Sequence, residues 1–280
     1  MTPDSERSGG HSTGGESKQA IPFWYFPAGL VIGFVGALCG IGGGLFAGPL
    51  LHYTRGLALK RSAATALLLV FATTSAASVT EALQEDTLLS TRLVLPLMIG
   101  VLAGAQAGFK LSQRLSERGL KCVFCVVMLA AGLRILFSSG GFSPAPGTFA
   151  SDHVTSLLSL AVGFGGGFVA PILGVGGGLM MVPGLFLCID GLPFTAARAT
   201  SLAGGTVASL RSLFLHSRAG NIVYGPGIVL GLGALVGATS GVFFTRSDGF
   251  VQAGRVFLGA LLIFQALRFA RELTRRREAP

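Results

Sequence analysis

Two glycine runs carry the clearest chemistry in this chain: Gly40-Ile41-Gly42-Gly43-Gly44 and Gly174-Val175-Gly176-Gly177-Gly178. Each is followed at the same distance by a proline, Pro49 and Pro183. Both lie inside strongly apolar segments, about 23–53 and 157–189. Consecutive glycines interrupt a helix because they accept positive φ and let another backbone come close. A helix that resumes after such a break starts with N–H groups that have no carbonyl partner. Together with the helix dipole, those groups form an anion site. Gly42, Gly43, Gly44, Gly176, Gly177 and Gly178 are therefore candidate backbone ligands for a small anion. Gly40, Gly174, Pro49 and Pro183 are the structural part of the motif. A single run could equally serve close helix packing, as small residues do in membranes. Two runs at matching places favour the ligand reading. "GIGGGL" is not a dinucleotide fingerprint, because Leu45 stands where the third glycine would be.

Side chains add a second set of candidates. Arg211 follows Thr206 and Ser209 on an otherwise small and apolar helix, and a guanidinium pairs bidentately with oxyanions. The competing reading is an arginine reaching the membrane interface. Thr65, Thr200 and Ser201 open the segments after each glycine run, where they either cap helices or face the anion. The hydroxyls of "ATTSAASVT" (72–80) bond either substrate or their own helix. His52 and His216 are the candidates for proton coupling, against the commoner packed interfacial histidine. Glu81, Glu85, Asp86, Asp190 and Asp248 all fall at segment edges, which leaves no carboxylate relay inside a span. No catalytic set and no metal site emerges. "GATSG" has a serine, but no histidine follows Ser240 to act as its base. Cys122 and Cys125 have no accompanying His or carboxylate cluster and read as small apolar residues. No Walker sequence is present, so transport powered by this chain's own ATP hydrolysis is not expected, and the reading includes no cofactor.

The elements that must position these residues follow from composition and from a duplication. Half the chain is hydrophobic (51%), only 12% is charged, and the mean hydropathy is +0.69. Soluble domains carry about 25% charged residues. The apolar segments are long enough for bilayer spans of about 20 residues. The offset from Gly40 to Gly174 is 134, and Pro49 and Pro183 share it. "AATAL" (63–67) matches "RATSL" (198–202), and "GAQAG" (104–108) matches "GATSG" (237–241). Each half therefore reads as one glycine-broken segment followed by three spans. Those are about 62–82, 92–113 and 119–138, then about 196–216, 224–245 and 250–271. "GVLAG", "GAQAG" and "GALVG" are small-xxx-small packing patterns.

Positive charge sets the topology. If each glycine segment is a re-entrant hairpin, sixteen of the 21 Lys and Arg lie on one side and five on the other. If each crosses fully, the split is 11 against 10. The positive-inside rule favours the first arrangement. The expected fold is an all-α polytopic membrane protein with two inverted-topology repeats. Each repeat is a glycine-broken re-entrant hairpin plus three transmembrane helices. The divisions are a disordered tail (1–22), repeat one (23–138), a linker (139–154), repeat two (155–272) and a basic tail (273–280). Both termini are expected in the cytoplasm. The net charge of +9 is read as membrane flanking, not as nucleic-acid binding.

The doubled "GIGGG…P" and "GVGGG…P", each followed by an AT-A/S-L element, resemble the sulfite exporter TauE/SafE family. That family is also described as the toluene-sulfonate uptake permeases. The resemblance covers about 25–272. "HSRAGNIVY" (216–224) is similar to the family's H…GNV turn, whereas the equivalent "LQEDTLLST" (83–91) has neither the His nor the Gly-Asn. The resemblance implies a secondary transporter or facilitator of sulfite, sulfoacetate or an organosulfonate in the inner membrane of a bacterium. An anion channel and an intramembrane enzyme are the competing functions. The implied partners are the small anion and the membrane lipids, with self-association left open.

Overall fold

The computed structural model describes residues 22–85, 87, 89–112, 125, 129, 133, 152–189, 191–245 and 248–275. The described residues are helical, with no strand among them. The helices are α1 (Tyr25–Cys39), α2 (Gly44–Arg55), α3 (Leu59–Ala82), α4 (Thr91–Ser112), α5 (Asp152–Leu173), α6 (Gly178–Cys188), α7 (Phe194–Arg218), α8 (Tyr224–Phe244) and α9 (Asp248–Arg275). Among the described residues, four stretches are long and apolar enough to cross a membrane: Lys60–Ala82, Thr91–Leu111, His153–Leu173 and Tyr224–Phe244. The outer surface carries large apolar side chains, including Leu95, Leu157, Leu232, Phe243 and Phe264. A water-soluble domain would not expose such a belt.

Most of the expected third span of repeat one (119–138), most of both tails and most of the linker lie outside the described residues. So do Asp86 and Asp190. Two boundaries differ from the sequence reading, the first being that α9 runs to Arg275, inside the stretch assigned to the basic tail. Helix α5 begins at Asp152, inside the stretch assigned to the linker.

Both glycine runs break the chain into hairpins. Positive φ occurs at Gly40, Gly42 and Gly43, and again at Gly174, Gly176 and Gly177. Arms that follow a reversal lie side by side. Gly43 sits against Ile32, and Gly177 against Gly166. Farther out, the Tyr25 hydroxyl bonds Thr54 Oγ1 at 2.6 Å, and Gly184 faces Val162. The two ends of hairpin one therefore meet, with the Arg55 guanidinium also over the Tyr25 ring at 5.6 Å.

Each hairpin packs on the other half of the chain. On α1, Gly29 and Gly33 lie against the backbone of Leu230 and Ala234 in α8. On α5, Gly163 and Gly167 lie against Leu97 and Val101 in α4. The return contacts come from the packing patterns. Gly100, Gly104 and Gly108 abut the α5 carbonyls of Leu160, Phe164 and Phe168. Gly233, Gly237 and Gly241 do the same with Phe26, Leu30 and Phe34 of α1. Small residues let these backbones touch where larger ones would hold them apart.

Candidate functional site

The two glycine tips meet at the centre of the structure. A Cβ on Gly178 would sit 2.6 Å from the carbonyl oxygen of Gly40 and 2.9 Å from Ile41 Cα. A Cβ on Gly44 would strike the carbonyl of Gly174 and the Cα of Val175. The contact is reciprocal, each tip offering the equivalent residues to the other. Val70 of α3 lies between them, touching the positions of Gly42, Gly44 and Gly176. Thr74 fills the space between Gly42 and Gly205. All tip glycines are buried. Pro49 and Pro183 each stand five residues into the arm that leaves the tip, freeing the carbonyls of Leu45 and Leu179 from the helical ladder.

Breaking a helix in an apolar interior also strands carbonyls, and each must find a donor. At tip one, the Gly36 carbonyl accepts from Ile41 N and Gly42 N, and the Gly40 carbonyl accepts from the Ser201 hydroxyl at 3.0 Å. The Ala37 carbonyl accepts from Arg198 Nη1 at 3.3 Å. Arg198 is 1% exposed, and its Nη2 donates to Glu81 Oε2 at 2.8 Å, with Glu81 itself 2% exposed. At tip two, the Pro171 carbonyl accepts from His216 Nε2 at 2.9 Å. The other ring nitrogen faces the Asn221 amide at 3.4 Å, an arrangement that puts the proton on Nε2. Glu81 and His216 occupy equivalent places in the two repeats, at the offset of 135 that relates "AATAL" to "RATSL". One repeat closes its broken helix end with a histidine, the other through a carboxylate and an arginine borrowed from the opposite half.

This pair is what the sequence reading missed. Glu81 was assigned to a segment edge, which left the interior without a carboxylate. Instead, the second-last residue of α3 is buried against the tip. Arg198 was not among the candidate ligands. Its counterpart is Ala63, so the repeat gave no hint of it, but the alignment of Glu81 with His216 was available.

The Thr65 hydroxyl accepts from Val223 N at 3.0 Å and closes the turn before α8. Ser201 serves tip one as above. Thr200 is fully buried with no partner for its hydroxyl. Arg211 is half-buried, donates to Gln106 Oε1 of α4 at 2.5 Å and lies over the Phe214 ring. His52 is held by the Leu57 carbonyl at 2.7 Å, in the last turn of α2 and away from the tip. No group of three or more His, Cys, Asp or Glu placed to hold a metal occurs among the described residues. A cavity of about 420 Å³ opens between α3, α4 and α7, lined by Ser75, Ser78, Val79, Ala82, Met98 and Thr206 among others. It takes in part of the hydroxyl run of 72–80. The Ser78 hydroxyl is buried with no partner.

The family model described as "Sulfite exporter TauE/SafE" matches residues 4–135 and 159–280, and the chain belongs to that family. It is 33% identical over 121 residues to "Probable membrane transporter protein YdhB" of Bacillus subtilis (strain 168). That match covers 41% of this chain and 49% of the relative, about half the relative's length. No solved structure matches the chain.

Proposed function

We propose that this member of the TauE/SafE family is a secondary carrier for a small sulfur-containing anion in the cytoplasmic membrane. The paired glycine tips are its binding place. The observation that carries the reading is the reciprocal backbone contact of the tips, with α2 and α6 both starting there. Two helix starts at one point concentrate N–H groups and dipole ends where an anion is stabilised. Thr200, Ser201, Thr65 and Arg211 complete the proposed set, with His216 the titratable group on the same helix as Arg211.

The contacts support inverted repeats. Helices α3 and α7 are equivalent, yet Arg198 meets Glu81 while Gly205 meets Thr74, so they run antiparallel. A two-fold axis along the helices would have left them parallel. An axis across the helices, in the membrane plane, accounts for the contacts. Support for a re-entrant first hairpin comes from the meeting of Tyr25 with Thr54. At 15 residues α1 is about 22 Å long, short of the ~30 Å hydrocarbon core. With the termini in the cytoplasm, the Glu81 end of α3 faces outward and the His216 end of α7 inward.

The test is uptake of radiolabelled sulfite by proteoliposomes holding the purified chain. Saturable flux that is lost in Gly43→Leu and Gly177→Leu and reduced in Arg211→Ala is the expected result. Flux indifferent to both glycine substitutions would remove the tips from the substrate path.

A further inference from the structure

Arg198 is the most deeply placed cation among the described residues, and it is already neutralised. Its guanidinium is the same planar fork that would grip a sulfite or sulfonate, because such anions present oxygens spaced much like those of a carboxylate. Glu81 holds one arm of that fork, its Oε2 accepting from Nη2 at 2.8 Å. Of the remaining donors, Nη1 holds the end of α1, and Nε is buried without a partner. The arginine thus stands at tip one with an internal anion where a substrate anion would bind.

The pair is also a stitch between the halves of the chain. Glu81 is on α3, Arg198 on α7 and the Ala37 carbonyl on α1. The equivalent closure at tip two, His216 on the Pro171 carbonyl, lies within one half and carries no carboxylate. An anion can compete with the first closure and has nothing to displace in the second.

A displaced carboxylate needs somewhere to go, since an unpaired buried charge is costly. Ser78 is three residues before Glu81 and so shares its helix face. Its hydroxyl has no partner, and it lines the 420 Å³ cavity together with Val79 and Ala82 of the same helix.

We propose that Glu81 is a displaceable counter-ion latch. The substrate anion takes the Arg198 guanidinium, the Glu81 carboxylate swings to the Ser78 hydroxyl in the neighbouring cavity, and the α3–α7 seam opens at that end. The gate then answers only to anions, and only when one has reached the tip. This inference rests on the tips being the anion site.

Sulfite flux and sulfite-dependent melting of the full-length chain test it. Glu81→Gln keeps an acceptor for Arg198 but removes the competing charge, so the KM for sulfite falls by about tenfold. Ser78→Ala removes the resting place, so KM rises by about fivefold. A defect in folding alone would not lower KM. If Glu81→Gln fails to melt cooperatively, Glu81→Asp must show the fall instead, because the shorter carboxylate holds the fork less well. Saturable wild-type flux with KM unchanged or raised in these Glu81 variants overturns the latch and leaves the carrier reading standing. No sulfite flux and no sulfite-dependent melting in the wild type removes both.

Discussion

Gly178→Ala probes the tip contact without disturbing backbone conformation. Gly178 is the first residue of α6 and is not among the positive-φ glycines, so alanine fits its φ and ψ. The added methyl would lie 2.6 Å from the Gly40 carbonyl oxygen and 2.9 Å from Ile41 Cα, all backbone atoms of the opposite tip. Ordinary contact begins near 3.4 Å, so the tips must separate by about 0.8 Å along that line. No side chain can rotate away to relieve it. Overpacking of this kind costs about 1–3 kcal/mol. The gain in helix preference from glycine to alanine, about 0.5–1 kcal/mol, acts in the opposite direction. Gly48→Ala supplies the control, because it is a helical glycine of α2 with nothing within 4 Å of its Cβ position. Subtracting one variant from the other cancels much of the helix term and leaves the clash. Denaturant unfolding in detergent micelles should therefore place Gly178→Ala below Gly48→Ala by about 1–3 kcal/mol. Sulfite flux should fall only in the former. Equal stability and equal flux for the two variants would mean that the tips do not meet as described.

Arg198→Met alone should destabilise by about 3–5 kcal/mol, because it leaves the Glu81 charge buried. Adding Glu81→Leu should restore much of that loss, and unfolding of the single and double variants checks it. His216→Ala strands the Pro171 carbonyl and should cost about 1–3 kcal/mol, with His216→Gln recovering part. Topology is checked by cysteine labelling in a cysteine-free background. Leu83→Cys, exposed just beyond α3, should on the proposed topology react with an impermeant maleimide added to intact cells. Ala219→Cys, just beyond α7, should react only after permeabilisation. Labelling of both from one side would refute the antiparallel assignment of α3 and α7 to opposite faces.

Much of the fold was legible because it depends on local features. Glycine runs and small-xxx-small patterns report backbone approach directly, and the contacts of Gly100, Gly104, Gly233 and Gly237 follow from them. The duplication gave the correspondence between halves. The Arg198–Glu81 pair was not legible for a physical reason. Glu81 and Arg198 are 117 residues apart, and each sits near a helix end, where a charge ordinarily reaches water. Only the close crossing of α3 and α7 beside tip one buries them. Arg211 stood out because its neighbours in the middle of α7 are small or apolar, and its partner Gln106 gave no signal in a run of small residues. The start of α5 was misplaced because a polar first turn looks like linker.

The most direct test of the carrier reading is counterflow. Proteoliposomes loaded with unlabelled sulfite and diluted into a trace of labelled sulfite should accumulate label transiently, and Gly43→Leu should abolish the accumulation. A carrier exchanges one anion for another through the tips, whereas a channel only equilibrates them. Labelled sulfite that merely equilibrates, or accumulation that persists with leucine at residue 43, would contradict the account.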